Sequence, residues 1–300
     1  MGAPVAFSDA ARSGVAPKFL PLVRLGSASR AGVMPDAGAS LFVDDFENDA
    51  VEILKNTRWT NQGQITDGIA APDGNWYDTH GLYVANYANA SITQYQLPSQ
   101  LTFTYGQRMV DPVAVTTDSN GNVYEADYAY PRGNGFVNEY AQGSNTVIAR
   151  CSPGGAAEGV AVDQRGDVFL AYNSGSLGYI NEYVGGLGSC HGIQLPLPLG
   201  FIGGITLDKR RDLIACDQLA AQVDVIAPLY KTITRTLGSG YYDPFHVTIN
   251  RKNTRAYVTD LGAVEVQVLD YSSGAVIATL GSANGLKTPS SAVDTDNFVP

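Results

Sequence analysis

The chain has 300 residues, of which 29 are Asp or Glu and 19 are Lys or Arg, so its formal net charge at pH 7 is −10. A negative balance of this size repels phosphate backbones and anionic lipid, which argues against nucleic acid or a membrane surface as the partner. Only 16% of the residues are charged, while Gly numbers 33 and Tyr 17, which is typical of an all-β protein with many tight turns. No run of about 18 apolar residues occurs, so no transmembrane segment is expected.

The first 38 residues differ from the rest of the chain. Residues 1–38 show no steady hydrophobic period and contain Ala, Gly, Ser, Pro and several Arg. We expect them to be a tail or a processed leader, and we expect residues 39–300 to form the folded domain. From Ser40 the sequence becomes strand-like, with apolar runs at 41–43 and 51–54 on either side of a turn.

Six short apolar segments recur along the chain at intervals of 42–47 residues. In most units a second strand closes on Asp or Asn about a dozen residues later, and a third strand follows. Repeats of this length with four short strands each predict the blades of a β-propeller. The predicted inner strands are 68–71, 112–115, 159–162, 204–207, 246–249 and 290–293.

The last segment, 290–293, lacks the strands that should follow it, whereas the strands that begin near Ser40 lack an inner strand. Pairing the two completes one blade and removes two open sheet edges. The predicted fold is therefore all-β, a six-bladed β-propeller whose ring is closed by the C-terminal strand pairing with the N-terminal blade.

A polar residue closes the second strand in five units, at Asp45, Asn86, Asp127, Asp217 and Asp260. A residue that recurs in nearly every blade serves a need that every blade has. We interpret these residues as closing the loop after the second strand, rather than as a functional site.

Cysteine content bears on the cellular location. Cys151 and Cys190 fall near the ends of successive units and could form one disulfide; buried free thiols are the alternative, and Cys216 is the third cysteine.

Met1 is not followed by the charged start and long apolar run of a secretory signal. The protein is therefore intracellular or its signal peptide is absent from this sequence, and the low Lys and high Tyr, Gly and Asn content favours a secreted or bacterial cell-envelope setting.

The units resemble NHL repeats, which build six-bladed propellers from a Pro-x-Gly-Ile-Ala-Val-Asp opening followed by Gly-x-Ile-Tyr-Val-Ala-Asp. Residues 159–163, Gly-Val-Ala-Val-Asp, together with 166–171, Gly-Asp-Val-Phe-Leu-Ala, are the nearest match. The resemblance extends over about 260 residues and implies the propeller fold. Its motif is shared by proteins of many functions, so it does not imply one activity.

The topology places the loops that enter inner strands and the loops that leave second strands on one face of the disc. Acidic residues stand directly before three consecutive predicted inner strands, at Asp67, Asp111 and Glu158. Tyrosines follow the second strands of the same blades, at Tyr87, Tyr128, Tyr130 and Tyr172, and His246 begins a further inner strand. We expect these eight residues to form a ligand-binding face that is acidic and aromatic.

Three functions remain open for that face. The first is a non-enzymatic scaffold that binds a protein or a small-molecule ligand through aromatic contact and carboxylate charge. The second follows from a resemblance of Glu158-Gly159 to the acidic start of the gluconolactonase-like propeller pattern, which implies a calcium-dependent lactonase or esterase with Glu158, Asp111 and Asp67 as the metal ligands. The third is a structural propeller whose sides mediate self-association and which needs no functional mouth.

Overall fold

The structure, a computed structural model, describes residues 40–96, 99–129 and 134–296. The expected tail at 1–38 and the predicted site residue Tyr130 lie outside these ranges. The described residues form six four-stranded antiparallel sheets, and each inner strand lies beside the inner strands of the two neighbouring sheets, so that the sheets form a ring. This confirms the predicted six-bladed β-propeller.

The strands run from the axis outward within each blade. Blade 1 contains β24 (Pro289–Asp294), β1 (Ser40–Asp45), β2 (Ala50–Lys55) and β3 (Thr60–Ile65). Blade 2 contains β4 (Pro72–Asp78), β5 (Gly81–Asn86), β6 (Ser91–Gln96) and β7 (Gln100–Tyr105). Blade 3 contains β8 (Pro112–Thr117), β9 (Val123–Asp127), β10 (Phe136–Tyr140) and β11 (Val147–Cys151).

The other three blades follow the same order. Blade 4 contains β12 (Ala156–Val162), β13 (Val168–Ser174), β14 (Leu177–Tyr183) and β15 (Ile193–Gln194). Blade 5 contains β16 (Ile202–Leu207), β17 (Leu213–Asp217), β18 (Gln222–Ile226) and β19 (Ile233–Thr236). Blade 6 contains β20 (Pro244–Ile249), β21 (Arg255–Asp260), β22 (Glu265–Asp270) and β23 (Val276–Leu280).

Short 3-10 helices lie between some of the strands, at Phe46–Asn48, Tyr87–Asn89, Leu187–Ser189 and Ser282–Asn284. No helix in the described part of the chain is long and apolar enough to cross a membrane.

The hydrophobic core lies between the blades. Six clusters of buried side chains are present in the described chain, and each draws its members from two adjacent blades. Val113 and Tyr124 of blade 3, for example, belong to one cluster with Val160 and Leu170 of blade 4. A blade therefore buries its apolar faces only against its two neighbours, as expected for a repeat architecture.

The inner strands approach one another closely at the axis, and glycine allows this. A Cβ atom on Gly74 would lie 2.5 Å from the carbonyl oxygen of Val113, and one on Gly159 would lie 2.8 Å from the backbone nitrogen of Ile205. Both distances are shorter than real side chains show, so these positions accept only glycine without a shift of the neighbouring strand.

The ring closes as the sequence predicts. β24 pairs antiparallel with β1, with Phe42 opposite Val293 and Leu41 opposite Asp294. Phe42 and Val293 are fully buried and belong to the cluster between blades 1 and 2. Closure thus joins the two ends of the domain through both backbone hydrogen bonds and apolar burial.

The predicted inner strand of blade 2 is wrong. Residues 68–71 form a turn, and the inner strand is β4, which begins at Pro72. The backbone N–H groups of Ala70 and Ala71 donate to the side chains of Asn86 and Asp49 rather than to a strand ladder. Gly68 and Ala71 also have positive φ angles of 77° and 47°, which a strand does not accommodate.

A disulfide joins Cys151 of β11 to Cys190, 39 residues further along the chain. It links the outer strand of blade 3 to the segment that follows β14 in blade 4, so the pairing that the sequence left open is present. Cys216 is buried and carries a free thiol.

Because the ring is closed by a buried inner strand, we expect substitutions in that strand to destabilise the protein more than substitutions in an exposed outer strand. We expect Val293→Ala in the closing strand to lower the free energy of unfolding by about 2 kcal/mol, because it removes two fully buried methyl groups and leaves a cavity. Val276→Ala in the outer strand β23 is the matched control, since Val276 is 50% exposed, and it should change stability by less than about 0.5 kcal/mol. Urea unfolding checks both values, and equal effects of the two substitutions would contradict the closed ring.

Candidate functional site

Every inner strand begins with a β-bulge on the same face of the disc, which we call the upper face. The register between inner and second strands shifts at the start of all six inner strands, so that each carries one extra residue there. Bulges re-aim side chains and are frequent beside binding sites. The bulge residues form the entrance to the central axis, which we call the mouth: Asp73, Val113, Glu158, Gly203, Phe245 and Ser290.

Two carboxylic acids, Asp73 of blade 2 and Glu158 of blade 4, occupy equivalent bulge positions in the mouth. Although blade 3 lies between them, the two carboxyls interact electrostatically, and the charge of Asp73 contributes to the raised pKa of Glu158. Asp73 is 8% exposed and Glu158 is 9% exposed. Glu158 Oε1 accepts a hydrogen bond from Asn173 Nδ2 at 3.1 Å, whereas the Asp73 carboxyl has no hydrogen bond or ion pair with any described residue.

Burial dominates the electrostatics of the mouth. It raises the pKa of Asp73 to about 8 and the pKa of Glu158 well above its usual range. Asp44 of β1 is fully buried nearby, and burial raises its pKa in the same direction, with the charge of Asp73 adding to the effect. Three carboxyls that are costly to ionise therefore lie at one end of the axis.

Tyr87 lies beside these acids. It begins the 3-10 helix Tyr87–Asn89 and is half-buried against the cluster between blades 3 and 4. Burial raises the pKa of Tyr87 to about 12, and the charges of Asp111, Asp73, Asp127 and Glu158 contribute to the rise. Tyr87, Asp111 and Glu158, which were predicted from the sequence, are therefore brought to one region. The tyrosine keeps its proton at neutral pH.

Two of the other predicted site residues, Asp67 and Tyr172, lie apart from the mouth. Asp67 is exposed in the turn before β4, where its backbone oxygen accepts a hydrogen bond from Tyr95 Oη at 2.6 Å. Tyr172 lies within β13 and stacks on Tyr179, with the ring centroids 5.4 Å apart. Tyr128 is half-buried against the same cluster as Tyr87, and Tyr130 lies outside the described residues.

His246 lies one residue past the bulge of blade 6, and it is buried below the mouth. Its Nδ1 is 3.1 Å from Ser291 Oγ, and burial lowers the pKa of His246 to about 4, so the ring is neutral at pH 7. Ser291 Oγ in turn lies 3.1 Å from Asn75 Oδ1, and Asn75 Nδ2 donates to Asp44 Oδ1 at 2.8 Å. Asp44 binds Asn75 and not the imidazole of His246. This series of hydrogen bonds is therefore not a catalytic triad, in which an acid orients the base that activates a nucleophile.

The recurrent polar residue after the second strand has the structural role that its recurrence indicates. Asp127 accepts hydrogen bonds from the backbone N–H groups of Val110 and Asp111, and Asp260 does the same for Tyr242 and Asp243. These carboxylates therefore bind the loop before the inner strand. Asp217 and Asp260 also accept hydrogen bonds from the loop after the second strand, which is the predicted role, through the N–H groups of Ala220 and Ala263.

The structure does not assemble the three predicted calcium ligands. Among the described residues, no three His, Cys, Asp or Glu side chains are grouped so that they could hold a metal ion. Asp67 is exposed in its turn, while Glu158 is buried in the mouth. Calcium takes six to eight oxygen ligands, so the carboxyls of the mouth do not by themselves supply a calcium shell.

Asp73 was missed because the inner strand of blade 2 was placed four residues too early. The signal that identifies it is the proline that opens four of the six inner strands, Pro72, Pro112, Pro244 and Pro289. Each inner strand is a sheet edge, where proline is tolerated at the first residue because no ladder hydrogen bond is lost. When the units are aligned on this proline, Asp73 occupies the position equivalent to Val113 and Phe245.

Comparisons with known proteins identify the fold. No family model matches the chain, and no curated protein matches it. Among solved structures, it is similar to a chain of a nidogen/laminin complex, with a TM-score of 0.68 and 17% identity over 86% of this chain and 98% of that one.

Two further solved structures are similar. One is a streptogramin B lyase, with a TM-score of 0.54 and 12% identity over 73% of this chain and 70% of that chain. The other is a hydrazine synthase of Kuenenia stuttgartiensis, with a TM-score of 0.60 and 15% identity over 79% and 82%. At these identities the likeness shows the propeller fold alone, which both binding proteins and enzymes use.

The raised pKa of Asp73 makes stability depend on pH. The folded state holds this proton up to about pH 8, whereas the unfolded chain loses it near pH 3.9, so the stabilising contribution is full below pH 4 and is lost as the pH rises to 8. We expect Asp73→Asn to reduce the loss of unfolding free energy between pH 5 and pH 8 by at least about 1 kcal/mol relative to the wild type.

Urea unfolding at the two pH values checks this expectation. Asp67→Asn is the control, because it makes the same substitution at an exposed position and should follow the wild type. Parallel pH profiles for Asp73→Asn and the wild type would contradict a buried, protonated Asp73.

Proposed function

We propose that this protein is a non-enzymatic binding scaffold that takes a small-molecule ligand or a segment of a partner protein at the mouth of the propeller. The observation that carries the proposal is the Asp73 carboxyl, which is more than nine-tenths buried and has no hydrogen bond or ion pair with the described residues. Its oxygens are not among the fully enclosed unpaired atoms of the described residues, so they remain accessible from the mouth. A largely desolvated carboxyl that is accessible and has no partner within the protein is suited to binding a ligand.

The surroundings of the mouth support a binding role. Phe245 occupies a bulge position and Tyr87 lies beside the acids, so apolar and aromatic surface adjoins the carboxyls. Further out on the upper face, Tyr242 precedes β20 and is 77% exposed, and Leu219 follows β17 and is 59% exposed. Exposed aromatic and aliphatic side chains around a polar centre are typical of recognition surfaces.

Enzymatic chemistry has less support. His246 is the histidine nearest the mouth, and it is neutral, buried and hydrogen-bonded to Ser291 without an orienting carboxylate. A nucleophile in an acyl-transfer site needs a base that is itself oriented and within reach of substrate. The calcium-dependent lactonase or esterase remains the alternative function, because Glu158 sits in the mouth as that resemblance implies.

Two further features accompany the proposal. The disulfide between Cys151 and Cys190 supports an oxidising compartment, in agreement with a secreted or cell-envelope location. The repeat at 159–163 supports an NHL-like subtype of propeller, a class used as a scaffold by many different proteins.

Selection of peptides tests the binding function. Random dodecapeptides displayed on phage would be selected on immobilised wild-type protein, with counter-selection on the double variant Asp73→Asn, Glu158→Gln. We expect clones that bind the wild type, lose binding to the double variant by about tenfold or more, and retain binding to Asp67→Asn. If every enriched clone binds the double variant as well as the wild type, the mouth is not the binding site.

Calcium addition separates the two functions. After treatment with EDTA, millimolar calcium should leave the midpoint of thermal unfolding unchanged, because the described residues contain no metal-ligand group. A ligand present at 100 times its dissociation constant would stabilise the native state by about 2.7 kcal/mol, which such a measurement resolves easily. A clear upward shift in the wild type that is lost in Glu158→Gln would favour the calcium-dependent hydrolase and would contradict the scaffold.

A further inference from the structure

We propose that the mouth selects an organic cation, a guanidinium or ammonium group that pairs with Asp73 and Glu158 against the ring of Tyr87. This inference rests on the proposed function, because it names the chemical class of the ligand that the mouth would bind.

The first argument is the lack of a counter-charge within the protein. No lysine or arginine of the described chain forms an ion pair with Asp73 or Glu158, and none acts on the pKa of either carboxyl. The acids around them add only negative charge: Asp44 of β1 packs on one side, and Asp111 and Asp127 of blade 3 act on Tyr87 at the other. A positive charge that enters this site has no competitor.

The second argument is the number and placement of the acceptors. Asp73 offers both of its carboxyl oxygens, and Glu158 retains the oxygen that Asn173 does not bind. These acceptors belong to strands of two different blades, so a ligand that serves both carboxyls needs more than one N–H donor. An ammonium group carries three such donors. A guanidinium carries five N–H donors in a planar fork and can serve two carboxylates at once.

The third argument is the aromatic ring. Tyr87 is half-buried at the edge of the mouth and keeps its proton, and the face of a neutral phenol attracts cations. A metal ion gains little from such a ring and needs more oxygen ligands than the described residues group together. The combination of two carboxyls and one ring therefore favours a planar or alkylated nitrogen cation over calcium.

The buried carboxyls couple this binding to protons. Burial raises the pKa of Asp73 to about 8, so this carboxyl is largely protonated in the empty protein at pH 7, and burial raises the pKa of Glu158 in the same direction. A bound cation would favour the ionised forms of both carboxyls. Binding should then release protons to the solvent, so that the positive charge of the ligand replaces the positive charge of the protons. Affinity for a cation that stays charged should rise with pH until Asp73 is ionised.

Isothermal titration calorimetry with a matched pair of probes tests the inference. Benzylguanidine carries the cation and a ring, and benzylurea has nearly the same shape without the charge. We expect benzylguanidine to bind the wild type at least about tenfold more tightly than benzylurea, with an affinity that rises by about tenfold or more between pH 6 and pH 9. Repeating the titration in buffers of different ionisation enthalpy should show proton release.

The variants assign the binding to the two carboxyls. Asp73→Asn and Glu158→Gln should each weaken benzylguanidine binding by about tenfold or more, while Asp67→Asn should leave it unchanged. Circular dichroism and urea unfolding establish whether each variant is folded. If one of the two mouth variants does not fold, the other is sufficient for the test.

The outcomes separate the inference from the function on which it rests. Equal binding of benzylurea and benzylguanidine, lost in the mouth variants, would overturn cation selectivity and leave the mouth as a binding site. Binding of benzylguanidine that the mouth variants do not alter, or no binding of either probe, would overturn the inference. Failure of the peptide selection as well would overturn the proposed function.

Discussion

The structure depends on the burial of apolar side chains between neighbouring blades, which requires a closed ring. Each blade has two faces to cover, and no blade covers its own faces. Opening the ring between blades 1 and 6, or removing the inner strand of blade 1, would expose clusters on both sides of the gap. The pairing of β24 with β1 therefore makes the closed set of six interfaces between blades possible, since it completes blade 1 from the two ends of the domain.

The same closed ring creates the candidate site. Six inner strands meet at the axis, and close approach there favours glycine at positions such as Gly74 and Gly159. The bulges next to these glycines place one residue per blade at the mouth. In four blades that residue is Val, Gly, Phe or Ser, and in two it is an acid, so the backbone geometry repeats and the residue types differ. Burying Asp73 and Glu158 raises the free-energy cost of ionising them. Binding sites commonly reduce the stability of the folded protein in this way.

Much of the fold could be predicted because its signals are local and repeated. The period of the units, the alternation within strands and the orphan strand at 290–293 all follow from residues close together in the chain, and each matched the structure. Blade 2 failed because the apolar triplet at 69–71 has the composition of an inner strand. Its backbone donors instead bind Asp49 and Asn86, two side chains from other segments, and no local pattern reports such long-range hydrogen bonds.

The site was predicted only in part for the same reason. Tyr87 directly follows β5, as its position in the sequence predicts, whereas Glu158 lies within β12 rather than before it. The early placement of the inner strand of blade 2 put Asp67 in the position that Asp73 occupies. Tyr172 was expected to point into the mouth because it follows the pattern of a second-strand end, but β13 continues through it to Ser174. In a strand, one residue of displacement turns a side chain to the opposite face.

The sequence by itself determined the number of blades and the way the ring closes, because strand period and loop topology are properties of the chain order. Only the tertiary structure decided that Cys151 pairs with Cys190 and which of the acids are buried. Burial depends on the bulge at the start of each inner strand and on the packing of neighbouring blades around the axis. Those are distances between segments far apart in the chain, which a repeat pattern leaves undefined.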